Sequence, residues 1–309
     1  MGLGCMTIGR DYSSDSRAEA IRIIRRAAEL GVTLFDTAEI YGPDNQNELL
    51  VGEALAPIRS QVVIATKCGI RFEGGHMQVD NRPETIRSSI ERSLRRLRTD
   101  YVDLYYLHRV DPSTPIEAAA ETMAQLQKEG KIRHWGISEP SMDTLRRANA
   151  VFPVAAVESE YSMMWREPEE AVLPTLEELG IGLTPYRPLA RGFLTDVEGG
   201  AYLQGAANTR FDAENLPANL ALRTLLQQLA REKQVTAAQL ALAWLLAQKP
   251  FIVPIPGISR MERMEENVRA AEVSLSAQEL DAIRKLLDQI EIKGTRYDPD
   301  SDNGRSVRK

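Results

Sequence analysis

The chain has 309 residues, 44 of them acidic and 38 basic, for a formal net charge of −6, with 43% hydrophobic and 27% charged side chains. That length suits one large α/β barrel or two ordinary domains, and it exceeds a minimal binding module. The acidic balance leaves no basic footprint for nucleic acid, and two cysteines with three histidines give neither a disulfide framework nor metal-ligand spacing.

No apolar run approaches the ~18 residues a spanning helix needs, and residues 1–7 lack the basic region and apolar core of a secretory signal. The expectation is a cytoplasmic protein with no membrane partner. In chain order, strand candidates fall at 2–5, 32–35, 62–66, 102–107, 132–137, 154–157, 182–185 and 252–255. Amphipathic helices separate them: Ile21, Ile24 and Ala28 share one face, as do Ile86, Ile90, Leu94 and Leu97, and Ile116, Ala119, Met123 and Leu126. Gly31, Gly130 and Gly180 each stand where a helix needs a left-handed C-cap, immediately before the next strand.

Eight strands alternating with helices predict a single-domain (β/α)8 TIM barrel over residues 1–309, at somewhat more than the ~250 residues typical of that fold. A Rossmann domain would want Gly-x-Gly-x-x-Gly opening a helix; Gly2-Leu3-Gly4 lacks the third glycine. The extra length lies in a loop at about 187–216 and a polar tail at about 293–309. A long connection after the seventh strand falls on the functional face of a barrel.

Polar residues recur at the strand ends: Asp36, Lys67, His108 and Ser138, with Tyr41 in the loop after Asp36. Barrel geometry aims all of these at one mouth. Taken singly each has an ordinary role, as a turn former, a snorkelling lysine or a half-buried histidine. Together they form a set that can hand a proton to a carbonyl oxygen as hydride reaches its carbon. Burial alone raises a tyrosine pKa, so the expectation is that Lys67 dominates and lowers that of Tyr41, with Asp36 fixing the ammonium and His108 orienting the substrate. The run Arg92, Arg95, Arg96, Arg98 reads as the solvated face of an outer helix, His76 and His134 as structural or surface residues, and Cys5 and Cys68 as small buried hydrophobes.

These blocks resemble the aldo-keto reductase family. The resemblance runs through Gly31 to Gly42, Ala65 to Lys67, Asp100 to Asp111, Gly130 to Ser138, Pro185 to Leu194, Ile255 to Arg260 and Arg263 to Asn267, in order along nearly the whole chain. It implies an NADPH-dependent reductase of aldehydes or ketones, with Tyr41 as general acid supported by Lys67 and Asp36, and His108 in the carbonyl pocket. NADPH/NADP+ would lie extended across the mouth, with Ser138 on the nicotinamide amide, Tyr186 stacked on its ring, and Leu189, Arg191 and Gly192 beside the pyrophosphate. Ser259, Arg260 and Arg263 would meet the 2′-phosphate, and Glu266 and Asn267 the adenine. Gly4, Cys5, Met6 and Gly257 complete the expected cofactor contacts.

The chain departs from the family pattern at several positions. Glu139 stands where many members have asparagine, and Glu158 where a glutamine usually contacts the nicotinamide amide. An ionised carboxylate accepts from that amide but cannot donate to it. Arg187 replaces a common serine and could pair with Glu158 or reach the pyrophosphate. The chain starts directly on its first strand, whereas relatives carry a short N-terminal hairpin that covers the barrel floor, so a less covered floor or a truncated start is expected.

Tyr12, Met6, Phe72, Trp165, Arg296 and Tyr297 are the expected walls for a small apolar or aromatic carbonyl substrate. Monomer and homo-oligomer both fit the sequence. Two rival functions are a cofactor-sensing subunit, like the potassium-channel β subunits of this family, and a lyase using Lys67 as a Schiff base. Tight NADPH binding without turnover would mark the first, and borohydride trapping at Lys67 the second.

Overall fold

The computed structural model describes residues 1–9, 13–197 and 208–297; Tyr12, part of the long loop and the end of the tail lie outside them. Strand β1 (Leu3–Gly4) leads to α1 (Ser14–Glu29), β2 (Leu34–Asp36), α2 (Gln46–Leu55) and β3 (Val63–Cys68). A hairpin, β4 (Ile70–Glu73) and β5 (His76–Val79), precedes α3 (Pro83–Leu97), β6 (Val102–Leu107), α4 (Ile116–Lys128), β7 (Ile132–Ser138) and α5 (Met142–Val151). Then come β8 (Ala156–Glu160), α6 (Val172–Leu179), β9 (Gly182–Tyr186), α7 (Leu216–Lys233), α8 (Ala237–Gln248), α9 (Met261–Val268) and α10 (Ala277–Leu287).

Seven strands form one parallel sheet in the order β1-β2-β3-β6-β7-β8-β9. The expected strand at 252–255 closes the ring, but not as a regular ladder. Gly2 and Gly4 donate backbone N–H groups to Pro254 and Pro256 carbonyls at 3.0 and 3.1 Å, while Val253 and Ile255 donate to Leu183 and Pro185 at 2.8 and 3.0 Å. Prolines have no N–H, so on the side facing β1 this segment only accepts. The result is the (β/α)8 barrel that the alternation predicts.

The helix boundaries follow local chemistry. Gly31, Gly130 and Gly180 take positive φ values of 90°, 76° and 69°, the left-handed conformation that costs an L side chain about 1–2 kcal/mol. Thr236 with Gln239 and Ser276 with Glu279 build capping boxes at the starts of α8 and α10. The β4–β5 hairpin was not among the strand candidates. Its turn, Gly74-Gly75, has both residues at positive φ, as a two-residue hairpin turn demands. Its strands are mostly exposed and mix charged with apolar residues, so they lack the apolar run that marks a barrel strand.

Period-2 alternation sorts the strand residues into two layers. One set packs outward under the helices in a large core including Phe35, Ile64, Tyr105, Ile137 and Val157. The register aligns Leu34, Ala65, Leu104, Tyr106 and Ala156 as a separate cluster, the lining of the barrel itself. Tyr106 is fully buried, and its hydroxyl lies 3.0 Å from that of Thr184. Gly136 makes room for the ring: a Cβ there would sit 2.4 Å from Tyr106 Cε1. Toward the strand N-termini the lining opens, with Val63 and His134 exposed and Leu34 and Leu104 half-buried.

Candidate active site

One step further along each strand, the same inward register becomes polar. Asp36 pairs in register with Ala65, Lys67 with Tyr106, Ser138 with Glu158, and Glu160 with Tyr186. The lining cluster thus floors a polar mouth at the strand C-terminal ends. This brings together Asp36, Tyr41, Lys67, His108, Ser138, Glu139, Glu158, Tyr186 and Arg187 from across 150 residues of sequence.

Lys67 is fully buried, with Nζ donating to Asp36 Oδ1 at 2.5 Å and to the Thr37 carbonyl at 2.9 Å, and lying 3.4 Å from Glu158 Oε2. Burial works against its charge, yet Asp36, Glu158 and Tyr41 hold its pKa well above the ordinary lysine range. A lysine so held stays protonated and is a poor nucleophile, which removes the support for a Schiff-base lyase. The Lys67 ammonium lies 5.1 Å from the Tyr41 ring centre, and the His108 ring meets Tyr41 edge-on at 5.8 Å. Burial, then Arg109 and Lys67, hold His108 well below the usual imidazole pKa, so it is neutral at pH 7.

Tyr41 corrects an expectation. Burial is the largest influence on its hydroxyl, and although Lys67 opposes it, Asp36 and Glu158 side with burial and push the pKa up to about 12. The cation's lowering effect is opposed by the two carboxylates that flank it. The loop carrying Tyr41 is anchored from behind by arginines that the sequence reading assigned to solvent. Arg92 Nε donates to Glu39 Oε1 at 2.7 Å, and Arg96 Nε to the wholly buried Glu48 Oε2 at 2.6 Å. Arg95 and Arg98 are exposed as expected, whereas Arg92 and Arg96 are drawn to carboxylates displayed from other elements, out of reach of local periodicity.

A second network rims the mouth. Glu139 receives Arg296 through two bonds of 2.6 and 2.7 Å, together with the Tyr186 hydroxyl and the Glu160 N–H, each at 2.9 Å. Burial alone would raise the Glu139 pKa; Arg296 and Arg109 bring it below the usual carboxylate range. The Tyr297 hydroxyl meets that of Tyr186 at 2.9 Å, so 296–297 lies across the expected ring-stacking tyrosine. Arg187 pairs with Glu160 at 3.3 Å rather than with Glu158. Glu160 also holds the fully buried Arg210 at 2.5 Å.

Arg109, Glu160 and Arg210 were missed as site residues. Arg109 donates to the His108 carbonyl at 2.7 Å and to Ser138 Oγ at 3.0 Å, and its position directly after His108 at a strand end was the available signal. Arg210, 50 residues from Glu160, carried none.

The remaining expected contacts divide. Cys5 is fully buried: its N–H donates to Asp36 O, its carbonyl accepts from Asn47 Nδ2 and Ile8 N, and its thiol lies on Leu3 O. Gly4 answers a packing need, since a Cβ would lie 2.8 Å from the Ile255 carbonyl. Met6 is 54% exposed, and Gly257, Ser259, Arg260 and Arg263 are exposed around the start of α9, with Glu266 half-buried and Asn267 buried. Thr7, Gly9 and Ser259 line a groove of about 190 Å³ there. Past Tyr186, Arg187, Ala190 and Arg191 hold left-handed φ values of 50°, 46° and 60°, and Gly192 follows at 93°. Leu189 begins this turn, and its carbonyl accepts from Gly192 and Leu194 N–H groups at 2.9 and 3.2 Å. Strained left-handed residues each cost about 1–3 kcal/mol and cluster at ligand sites. Of the expected walls, Phe72 is exposed on β4 and Trp165 half-buried with Arg296 5.1 Å from its ring.

Comparison with known proteins agrees with this geometry. Residues 1–288 match the model of the Aldo/keto reductase family. A probable aldo-keto reductase 1 from Glycine max is 42% identical over 306 residues, 96% of this chain and 88% of that protein. Glycerol dehydrogenase AKR11B4 from Gluconobacter oxydans superposes with a TM-score of 0.84 at 27% identity, covering 94% of this chain and 92% of that one. An aldo/keto reductase from Klebsiella pneumoniae, solved with NADP and acetate, gives 0.75 at 28% identity over 96% and 94%. The chain therefore belongs to the aldo-keto reductase family, a family of oxidoreductases. No helix among the described residues is long and apolar enough to cross a membrane, and no acidic, histidine or cysteine group there could hold a metal ion.

Proposed function

We propose that this chain is an NADPH-dependent reductase that converts an aldehyde or ketone into the alcohol, with Tyr41 as proton donor and residues 1–309 as one catalytic domain. The observation that carries it is the buried Lys67 ammonium, 2.5 Å from Asp36 and 5.1 Å from the Tyr41 ring, beside a neutral His108. NADP in the Klebsiella pneumoniae structure supports the cofactor. The residues fit it: Arg260 and Arg263 are exposed cations able to fork a phosphate, and the left-handed turn at 190–192 is backbone of the kind that cups one. Tyr186 and Glu158 border the nicotinamide end, with Ser138.

When bound, NADPH supplies the hydride. His108, neutral, donates to the carbonyl oxygen and fixes it near Tyr41. As the carbonyl carbon gains the hydride pair, its oxygen gains charge and takes the Tyr41 hydroxyl proton, completing the alcohol. Lys67 stabilises the phenolate left behind, and Asp36 keeps Lys67 in place. Water then restores the Tyr41 proton.

The test is loss of the NADPH absorbance band with an aromatic aldehyde. Tyr41→Phe should lower turnover by roughly 10²–10⁴-fold, the range for a positioned general acid, while NADPH still binds. Undiminished turnover in that variant would refute the assignment.

A further inference from the structure

Glu158 stands where the family resemblance implies a glutamine, and the structure turns it into the barrel. It is 3% exposed, with Oε2 3.4 Å from Lys67 Nζ. Asp36, also 3% exposed, meets the same ammonium from the other side, with Oδ1 2.5 Å from Lys67 Nζ. Two ionised carboxylates are acceptors only and cannot bond to one another. Asp36 Oδ2 and Glu158 Oε2 are both buried without a hydrogen bond, Lys67 Nζ meeting Glu158 Oε2 only as an ion pair at 3.4 Å. A proton on one of them gives the pair a donor that it lacks when both are ionised.

We propose that the Asp36–Glu158 pair holds one proton at neutral pH, carried by Glu158, so that Glu158 presents both a donor and an acceptor, as an amide would, toward the nicotinamide end of the mouth. Burial raises the Asp36 pKa as well, but the Lys67 ammonium 2.5 Å from its Oδ1 opposes this and leaves the proton on Glu158, whose Oε2 is 3.4 Å from that ammonium. The groups facing Glu158 are Asp36 from the end of β2, Tyr41 from the loop beyond it, Lys67 on β3, Tyr106 on β6 and Arg109 beyond β6; Ser138 on β7 and Thr184 on β9 are its uncharged register neighbours. Burial, reinforced by Asp36 and opposed by Lys67 and Arg109, lifts its pKa to about 8. Above that pH it becomes an acceptor only and adds a negative charge beside Lys67 and Tyr41. The part concerning the nicotinamide rests on the proposed cofactor; the proton itself does not.

The experiment begins on the cofactor-free protein. A carboxyl whose folded pKa is raised stabilises the fold below its unfolded value, and that contribution is lost as pH rises from about 4.5 to about 8. Over that window the wild-type folding constant should fall, relative to Glu158→Gln, by up to about tenfold per pH unit. Parallel curves of unfolding midpoint against pH would overturn the proposal. A pH-difference infrared spectrum of the wild type should show a protonated-carboxyl C=O band disappearing near pH 8, a readout that needs no variant, and absence of that band would overturn it equally. NADPH titration then tests the donor role: the wild type should lose affinity above pH 8 and Glu158→Gln should not. Equal pH dependence in both overturns the donor role, whereas failure of NADPH to bind either protein refutes the proposed cofactor and leaves the titration result standing.

Discussion

Replacing Arg296 by methionine keeps most of the side chain's apolar stem and removes a guanidinium that makes two bonds to Glu139, at 2.6 and 2.7 Å. The side chains of Arg296 and Glu139 are only 12% and 8% exposed, so solvent screens the pair weakly. Removing one partner of a buried ion pair typically costs about 3–5 kcal/mol. Glu139 keeps two donors here, the Tyr186 hydroxyl and the Glu160 N–H, so the lower end applies. At roughly 2 °C per kcal/mol for a chain of this size, a loss of about 3 kcal/mol lowers the unfolding midpoint by about 6 °C. Glu139 has a lowered pKa, so its contribution is present above the ordinary carboxyl value of 4.5 and is lost as pH falls below it. The wild-type and Arg296→Met midpoints should therefore converge in acid. A double-mutant cycle with Glu139→Gln should return a coupling of about 2 kcal/mol, and additivity within about 0.5 kcal/mol would refute the claim that this pair holds residues 296–297 against the mouth.

Gly136→Ala places a Cβ 2.4 Å from Tyr106 Cε1 and 2.5 Å from the Ala156 carbonyl, and the second contact is backbone that cannot swing away. Denaturant unfolding should show a loss at or above the upper end of the usual ~1–3 kcal/mol for overpacking, and a neutral result would mean the lining is looser than described. Arg260→Ala and Arg263→Ala should each weaken NADPH by roughly tenfold or more, the scale of one charge-assisted hydrogen bond, with little change for NADH. Equal losses for both cofactors in a binding titration would remove these arginines from the 2′-phosphate.

Much of the barrel was legible because its signals are local. Strand alternation, helix faces and the caps at Gly31, Gly130 and Gly180 each depend on a few neighbouring residues, and the strand ends then point Asp36, Lys67, His108 and Ser138 to one mouth. The β4–β5 hairpin had a signal in Gly74-Gly75, obscured by exposed strands of mixed polarity. The irregular closure at 252–255 follows from Pro254 and Pro256, whose missing N–H groups matter only once β1 lies alongside.

By itself the sequence determined which residue types stand at the strand ends, and hence the class of chemistry they can support. It did not determine their charge states or partners. The acid strength of Tyr41 depends on how far burial and two carboxylates outweigh Lys67, and desolvation exists only after the barrel closes. Arg187 with Glu160, Arg210 with Glu160, and Arg296 with Glu139 join positions 27, 50 and 157 residues apart, distances at which no periodicity operates. Tertiary structure alone decided which carboxylates face which cations, because electrostatic pairing depends on separation in space and on exclusion of water.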